Sequence, residues 1–165
     1  MKRTQANREI AVQIFFALYV YALFKIILFK FGSINFIFLW DQLQHSPHNI
    51  DRAMQWGNFI PLATISNTLD NLTSHTLLNL GGNIALFLPY GMFLILQSSS
   101  RRISLLHVLI RSLGLSLILE CAQALLSIGT FDVDDLILNT LGGVIGYNML
   151  RLFAHKKKVQ PATES

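Results

Sequence analysis

The sequence predicts an all-α membrane protein of four transmembrane helices, with an extracellular first loop that holds a short interfacial or re-entrant segment. Three observations carry this. The 165 residues are 52% apolar and only 13% charged, about half the charged share of an ordinary soluble domain. Four apolar stretches each approach the roughly 20 residues that span about 30 Å of hydrocarbon. The basic residues gather at the two ends and in one short middle segment, as in membrane loops rather than on a nucleic-acid-binding face. No nucleic-acid partner is expected.

The elements follow in order. The first span covers about residues 10–31, and its length, with no small-x-small cleavage site after it, argues against a cleaved signal peptide. Lys25 and Lys30 sit near its far end, where their stems can reach the interface. The apolar piece Ile34 to Trp40 is too brief to span and reads as the interfacial or re-entrant segment. Spans two to four cover about residues 77–97, 103–126 and 135–153. Pro89 lies inside the second, where it removes one amide donor and frees the carbonyl of Ala85. Residues 1–158 form a single transmembrane domain, and 159–165 read as a disordered cytoplasmic tail.

Charge orients the chain. Lys2, Arg3 and Arg8 precede the first span, Arg101 and Arg102 fill the second connection, and Arg151 with Lys156, Lys157 and Lys158 follows the last. With four crossings all three segments fall on one side, which the positive-inside rule makes the cytoplasm. Both termini are then cytoplasmic. The first and third connections are external and hold Asp41, Asp51, Arg52 and Asp70, then Asp132 and Asp134.

Polar residues inside the spans come next, because an unpartnered charge near the bilayer centre costs roughly 2.5–3.5 kcal/mol. Glu120 and Gln123 lie three apart on the third helix, with Ser116 and Ser127 at helical spacing. Asp135, Asn139, Gly142 and Gly146 make one stripe on the fourth. Asn79 and Asn83 share a face of the second. All of these amides and carboxylates fall in the outer layer of the membrane. They either cross-link the helices by hydrogen bonds, at about 0.6 kcal/mol each, or form a site open to the outside. Three carboxylates (Glu120, Asp132 and Asp135) exceed what helix gluing needs, and Arg52 is the one external arginine that could pair with them, which favours a site.

Other features have plainer readings. Gly142 and Gly146 have small-xxx-small spacing, and Gly81 and Gly82 are expected to pack in the same way. Ser104, His107, Arg111 and Gly114 read as a structural face, and the lone Cys121 as a packing residue. His45 and His48 are a weak metal pair, with Pro47 arguing against a helix there. The run from Phe131 to Asp135 falls short of a calcium loop and can instead cap the fourth helix. No metal site or cofactor is expected.

Longer motifs add a resemblance. Asn79-Leu-Gly-Gly-Asn83-Ile-Ala-Leu-Phe-Leu-Pro89-Tyr-Gly91, Glu120-Cys-Ala-Gln123 and Asp132-Val-Asp-Asp135-Leu-Ile-Leu-Asn139-Thr-Leu-Gly142-Gly143-Val-Ile-Gly146-Tyr147, preceded by Asn58-Phe-Ile-Pro61-Leu, resemble the VanZ-like family of bacterial membrane proteins over roughly residues 56 to 150. The chain departs from that pattern at Thr130, where many members carry an arginine before the acidic run. The resemblance implies a small multi-span protein of the bacterial cell membrane. The family is named for a protein that lowers susceptibility to the lipoglycopeptide teicoplanin, an acylated antibiotic that acts at the outer membrane surface on wall precursors.

Two functional classes follow. In the first, a non-catalytic envelope protein binds a lipidated or lipid-linked molecule, such as a wall precursor or a lipoglycopeptide antibiotic, through Asn79, Asn83, Gln123, Asp132 and Asn139. In the second, an intramembrane enzyme uses Glu120 as general acid or base, with Asp135 orienting it or holding a metal. Membrane lipids are partners in both. Transport of a solute is weaker, since four helices without an inverted repeat leave little room.

Overall fold

A computed structural model describes residues 2–29, 32–98 and 103–159. Seven helices occur among them: α1 (Lys2–Phe29), α2 (Phe36–Gln44), α3 (Ser46–Trp56), α4 (Ala63–Asp70), α5 (Ser74–Gln97), α6 (Leu105–Leu125) and α7 (Val133–Val159). Four carry stretches long and apolar enough to cross a membrane: Thr4–Phe29, Ser74–Gln97, Leu105–Leu125 and Val133–Ala154. The protein is a membrane protein. Of the residues read above for charge or disorder, Lys30, Arg101, Arg102 and 160–165 lie outside the described residues, and Val159 closes α7.

Local chemistry explains where the helices start. Thr73 caps α5 in a reciprocal capping box with Thr76, so α5 begins three residues before the apolar run. Ser104 caps α6 through the amide of His107, at 3.3 Å. The first connection holds three short helices where one short segment is expected. Pro47 does not exclude helix, because it stands in the first turn of α3, where its missing N–H would have had no intrahelical partner. His45 ends α2, with Nδ1 at 2.8 Å from the Asp41 carbonyl. The α2 segment keeps an apolar outer face, with Phe36 and Ile37 exposed.

The long helices run alternately up and down. At one end, Gln123 on α6 donates to the Ile27 carbonyl on α1 at 3.2 Å, and Asn83 on α5 donates to Asp135 on α7. At the other end, the Tyr147 hydroxyl on α7 reaches the Ile103 carbonyl before α6 at 3.0 Å. The core between them is built on Leu23, Phe87, Leu94, Val108, Leu119 and Tyr147. Helix α1 lies against it through Phe16 and Tyr19, whose rings meet Tyr90 and Phe93, and leaves Ile14, Phe15 and Leu18 outward. In lipid that outward face is solvated by acyl chains, so its exposure costs nothing.

Glycine decides the tightest seam. A Cβ on Gly142 would fall on the Ile84 carbonyl, one on Gly146 on the Leu88 carbonyl, and one on Gly91 on the Gly143 carbonyl. A Cβ on Gly143 would instead meet the Ser112 side chain of α6. Helix α7 therefore packs on α5 at backbone distance and on α6 through a side chain. Gly81 and Gly82 do not share this role, since a Cβ on either meets open space. Gly81→Ala is accordingly expected to leave the thermal unfolding midpoint in detergent unchanged or slightly raised, with stability up by at most about 1 kcal/mol. A drop in that midpoint would show a contact at Gly81. Cys121 is also not a packing residue, because it is exposed on the outer face of α6.

Candidate functional site

Where α5 and α7 begin and α6 ends, the bundle opens into a cavity of about 620 Å³. All seven amides and carboxylates proposed as site residues line it: Asn79, Asn83, Glu120, Gln123, Asp132, Asp135 and Asn139. Helical periodicity explains the gathering, because three and four residue spacings keep each set on one face. The seven are held differently. Glu120 (2% exposed) and Asn139 (2% exposed) are buried, whereas Asn79 is exposed at the rim. Ile26, Ile27, Leu86 and Ile128 supply apolar wall between them.

The acidic run is organised by a segment far away in sequence. Asn58 and Asp132 form a short parallel bridge, with Asn58 N donating to the Phe131 carbonyl at 2.8 Å and Val133 N to the Asn58 carbonyl at 2.9 Å. The Asn58 amide donates to Thr64 Oγ1 and to Asp132 Oδ1 at 3.0 and 2.9 Å, and Thr64 donates on to Asp132 Oδ2 at 2.8 Å. Asp132 Oδ1 also accepts the Asp134 amide at 2.8 Å, which caps the first turn of α7. Asp134 itself is fully buried and points away to α4, where it accepts the amides of Leu62 and Ile65. Leu62 takes the left-handed region at φ 68°, turning the chain so that both amides face one carboxylate. The acids here are helix caps as well as cavity walls.

Glu120 takes part in the same lattice. Its Oε2 accepts the Asp132 amide at 3.0 Å, which ties the last turn of α6 to the entry of α7. Asn139 donates to Ser116 at 2.9 Å, while its Oδ1 has no hydrogen-bond partner among the described residues. The stripe on α7 thus divides. Asp135 and Asn139 face the cavity, and Gly142 and Gly146 face the α5 backbone. Ser127 does not continue the α6 face, since the helix ends at Leu125 and Ser127 turns outward with φ 52° to bond Arg52. Arg52 therefore does not pair with the carboxylates. Among the described residues the one ion pair is His45 with Asp41, at 3.6 Å.

Several lining or supporting residues have no signal in the spans. Thr64, His75 and Thr130 line the cavity, and Asn58 holds it from behind. The clue to the last was the Asn58-Phe-Ile-Pro61-Leu element, given as part of the family resemblance. Asn49 (4% exposed) is a purely structural addition. It donates to the carbonyls of Gln42 and Leu125, at 3.0 and 2.9 Å, and so pins the first connection onto the end of α6.

Chemically, the cavity offers acceptors. Three carboxylates and four amides meet there, and among the described lining residues there is no lysine or arginine and His75 is the one basic side chain. Such a lining suits amines and hydroxyls and disfavours a bare phosphate. Among the described residues no three of His, Cys, Asp and Glu stand together as ligands for a metal ion.

A family model described as VanZ/LLP1 matches residues 15–154. Protein VanZ of Enterococcus faecium is 36% identical over 70 residues, which are 42% of this chain and 42% of that protein. The match thus spans less than half the length of that curated relative. No solved structure matches the fold.

Proposed function

The chain belongs to the VanZ/LLP1 family, and from that premise we propose that it is a multi-pass protein of the bacterial cell membrane with both termini cytoplasmic, whose outward cavity binds a lipidated or lipid-linked molecule of the envelope. Binding there lowers susceptibility to glycopeptide antibiotics such as teicoplanin, the activity the family resemblance implies. The observation that carries this reading is Asn139. A buried amide whose Oδ1 lacks a partner among the described residues costs about 1–3 kcal/mol to keep, and it lines a cavity shared with Asp135 and Asn83. Apolar walls beside the acceptors suit a molecule with an acyl part and a head rich in donors.

The alternative is an intramembrane enzyme acting on a lipid or wall precursor. Burial of Glu120 beside Asp135 in the same cavity favours it. There Glu120 exchanges the proton and Asp135 orients it or assists through a metal.

Teicoplanin susceptibility in a Gram-positive host tests both, with wild type, Glu120→Gln and Asp135→Asn at matched membrane abundance. Binding predicts that the wild type protects and that Asp135→Asn weakens protection severalfold, because a charged acceptor for the donor-rich head is lost. Chemistry predicts that Glu120→Gln abolishes protection outright, since an amide cannot exchange the proton. Full protection by both variants makes the cavity structural. No protection by the wild type removes the antibiotic reading.

A further inference from the structure

The opposite end of the bundle holds a second cavity, of about 540 Å³, between the end of α5, the start of α6 and the last turns of α7. Its walls are mostly apolar, with Ile95, Leu96, Leu105 and Leu150. Among the described residues one cation lines it, Arg151. The Arg151 guanidinium donates from Nη1 to the Tyr147 hydroxyl at 3.1 Å, and its Cζ lies 5.9 Å from the centre of the Tyr147 ring. Tyr147 is 3% exposed, and its hydroxyl donates in turn to the Ile103 carbonyl. The chain Ile103–Tyr147–Arg151 therefore fixes where the guanidinium points.

Among the described residues no carboxylate lines this cavity and Arg151 makes no ion pair. A guanidinium has five donors, and Tyr147 takes one of them. The remaining donors face a pocket with apolar walls at the edge of the bilayer. This arrangement fits an anion carrying an acyl chain, because the fork matches two phosphate oxygens and the leucines match the chain.

We propose that this cavity is a binding site for one anionic phospholipid, with its phosphate on Arg151 and the start of an acyl chain against Leu105 and Leu150. The site is distinct from the acidic cavity in both position and charge. It also goes beyond the general attraction of a basic membrane edge. Arg8 and Arg111 stand at the same end but line other cavities, so they share the edge without sharing this site.

The test is native mass spectrometry of the detergent-purified full chain, offered phosphatidylglycerol or phosphatidylcholine with identical acyl chains. Wild type is expected to retain one phosphatidylglycerol in preference to phosphatidylcholine. Arg151→Gln should lower that retention about tenfold, the size of one lost charge-assisted contact. Leu105→Trp, which keeps every charge but fills the mouth, should lower it as well. Arg8→Gln and Arg111→Gln should leave it within about twofold. Loss in these two equal to that in Arg151→Gln would reduce the effect to a generic basic edge and overturn the site. Displacement of the lipid by millimolar inorganic phosphate would overturn the lipid assignment in favour of a phosphate site. Retention unchanged in both Arg151→Gln and Leu105→Trp would overturn the proposal altogether, as would dimer formation through this face.

Discussion

Gly146→Val is expected to unfold or severely destabilise the protein, by about 3 kcal/mol or more, at the upper end of overpacking effects. The reason is that even a first methyl group at this position lands on backbone. Its neighbours would be the carbonyl, the carbonyl carbon and the Cα of Leu88, none of which can rotate away as a side chain would. Leu88 precedes Pro89, inside a helix whose Gly91 is pressed against Gly143. Moving α5 outward to admit the valine would therefore open the Gly91–Gly143 contact and the Gly142–Ile84 contact together. In a membrane this close packing carries much of the association energy, since lipid offers no hydrophobic drive between helices. Thermal unfolding in detergent, followed by helical circular dichroism beside Gly81→Ala, checks the result. A Gly146→Val midpoint equal to wild type would mean that α5 and α7 separate freely.

Asp134→Ala is expected to cost about 3 kcal/mol and to release α4. Helix α4 has no side-chain cap of its own, and Asp134 supplies one from 72 and 69 residues away, to Leu62 and Ile65. Removing that carboxylate leaves two amides without acceptors around a fully buried position. Water cannot readily replace it there. Asp134→Asn retains one acceptor and should lose about half as much. Hydrogen–deuterium exchange read over residues 62–70 separates local from global effects, and α4 should lose protection first. Unaltered protection of α4 in Asp134→Ala would show that Asp134 is not its cap. The acidic cavity reports the same event, because Thr64 lies in α4 and bonds Asp132. Release of α4 should thus weaken any activity that depends on the cavity, without a change in its own carboxylates.

The membrane class, the four long helices and the faces that carry Asn83, Glu120, Asp135 and Asn139 were legible in the sequence. Composition and periodicity are local properties, and a residue three or four places along a helix shares its face whatever surrounds it. The helix ends were less legible. Thr73 caps α5 before its apolar run and Ser104 caps α6 inside the expected one, and hydropathy does not see a cap. Pro47 misled for a similar reason, because proline breaks the interior of a helix but suits its first turn.

Only the tertiary structure decided which of several similar residues does what. Gly81 and Gly142 are the same residue type on apolar helices, yet one meets open space and the other a carbonyl. Asp132, Asp134 and Asp135 stand within four positions, yet the first caps α7 and bonds Asn58, the second caps α4, and the third faces the cavity with Asn83. These assignments depend on partners some 50 to 75 residues away, and the spacing of one segment contains no information about which other segment will lie against it. The sequence by itself determined the solvent, the helical periodicity and the polar faces, since each follows from the residue's own chemistry and its near neighbours. The partners of those faces were set by how closely glycine let the backbones approach and by which buried amides still needed an acceptor, and both are properties of the packed bundle alone.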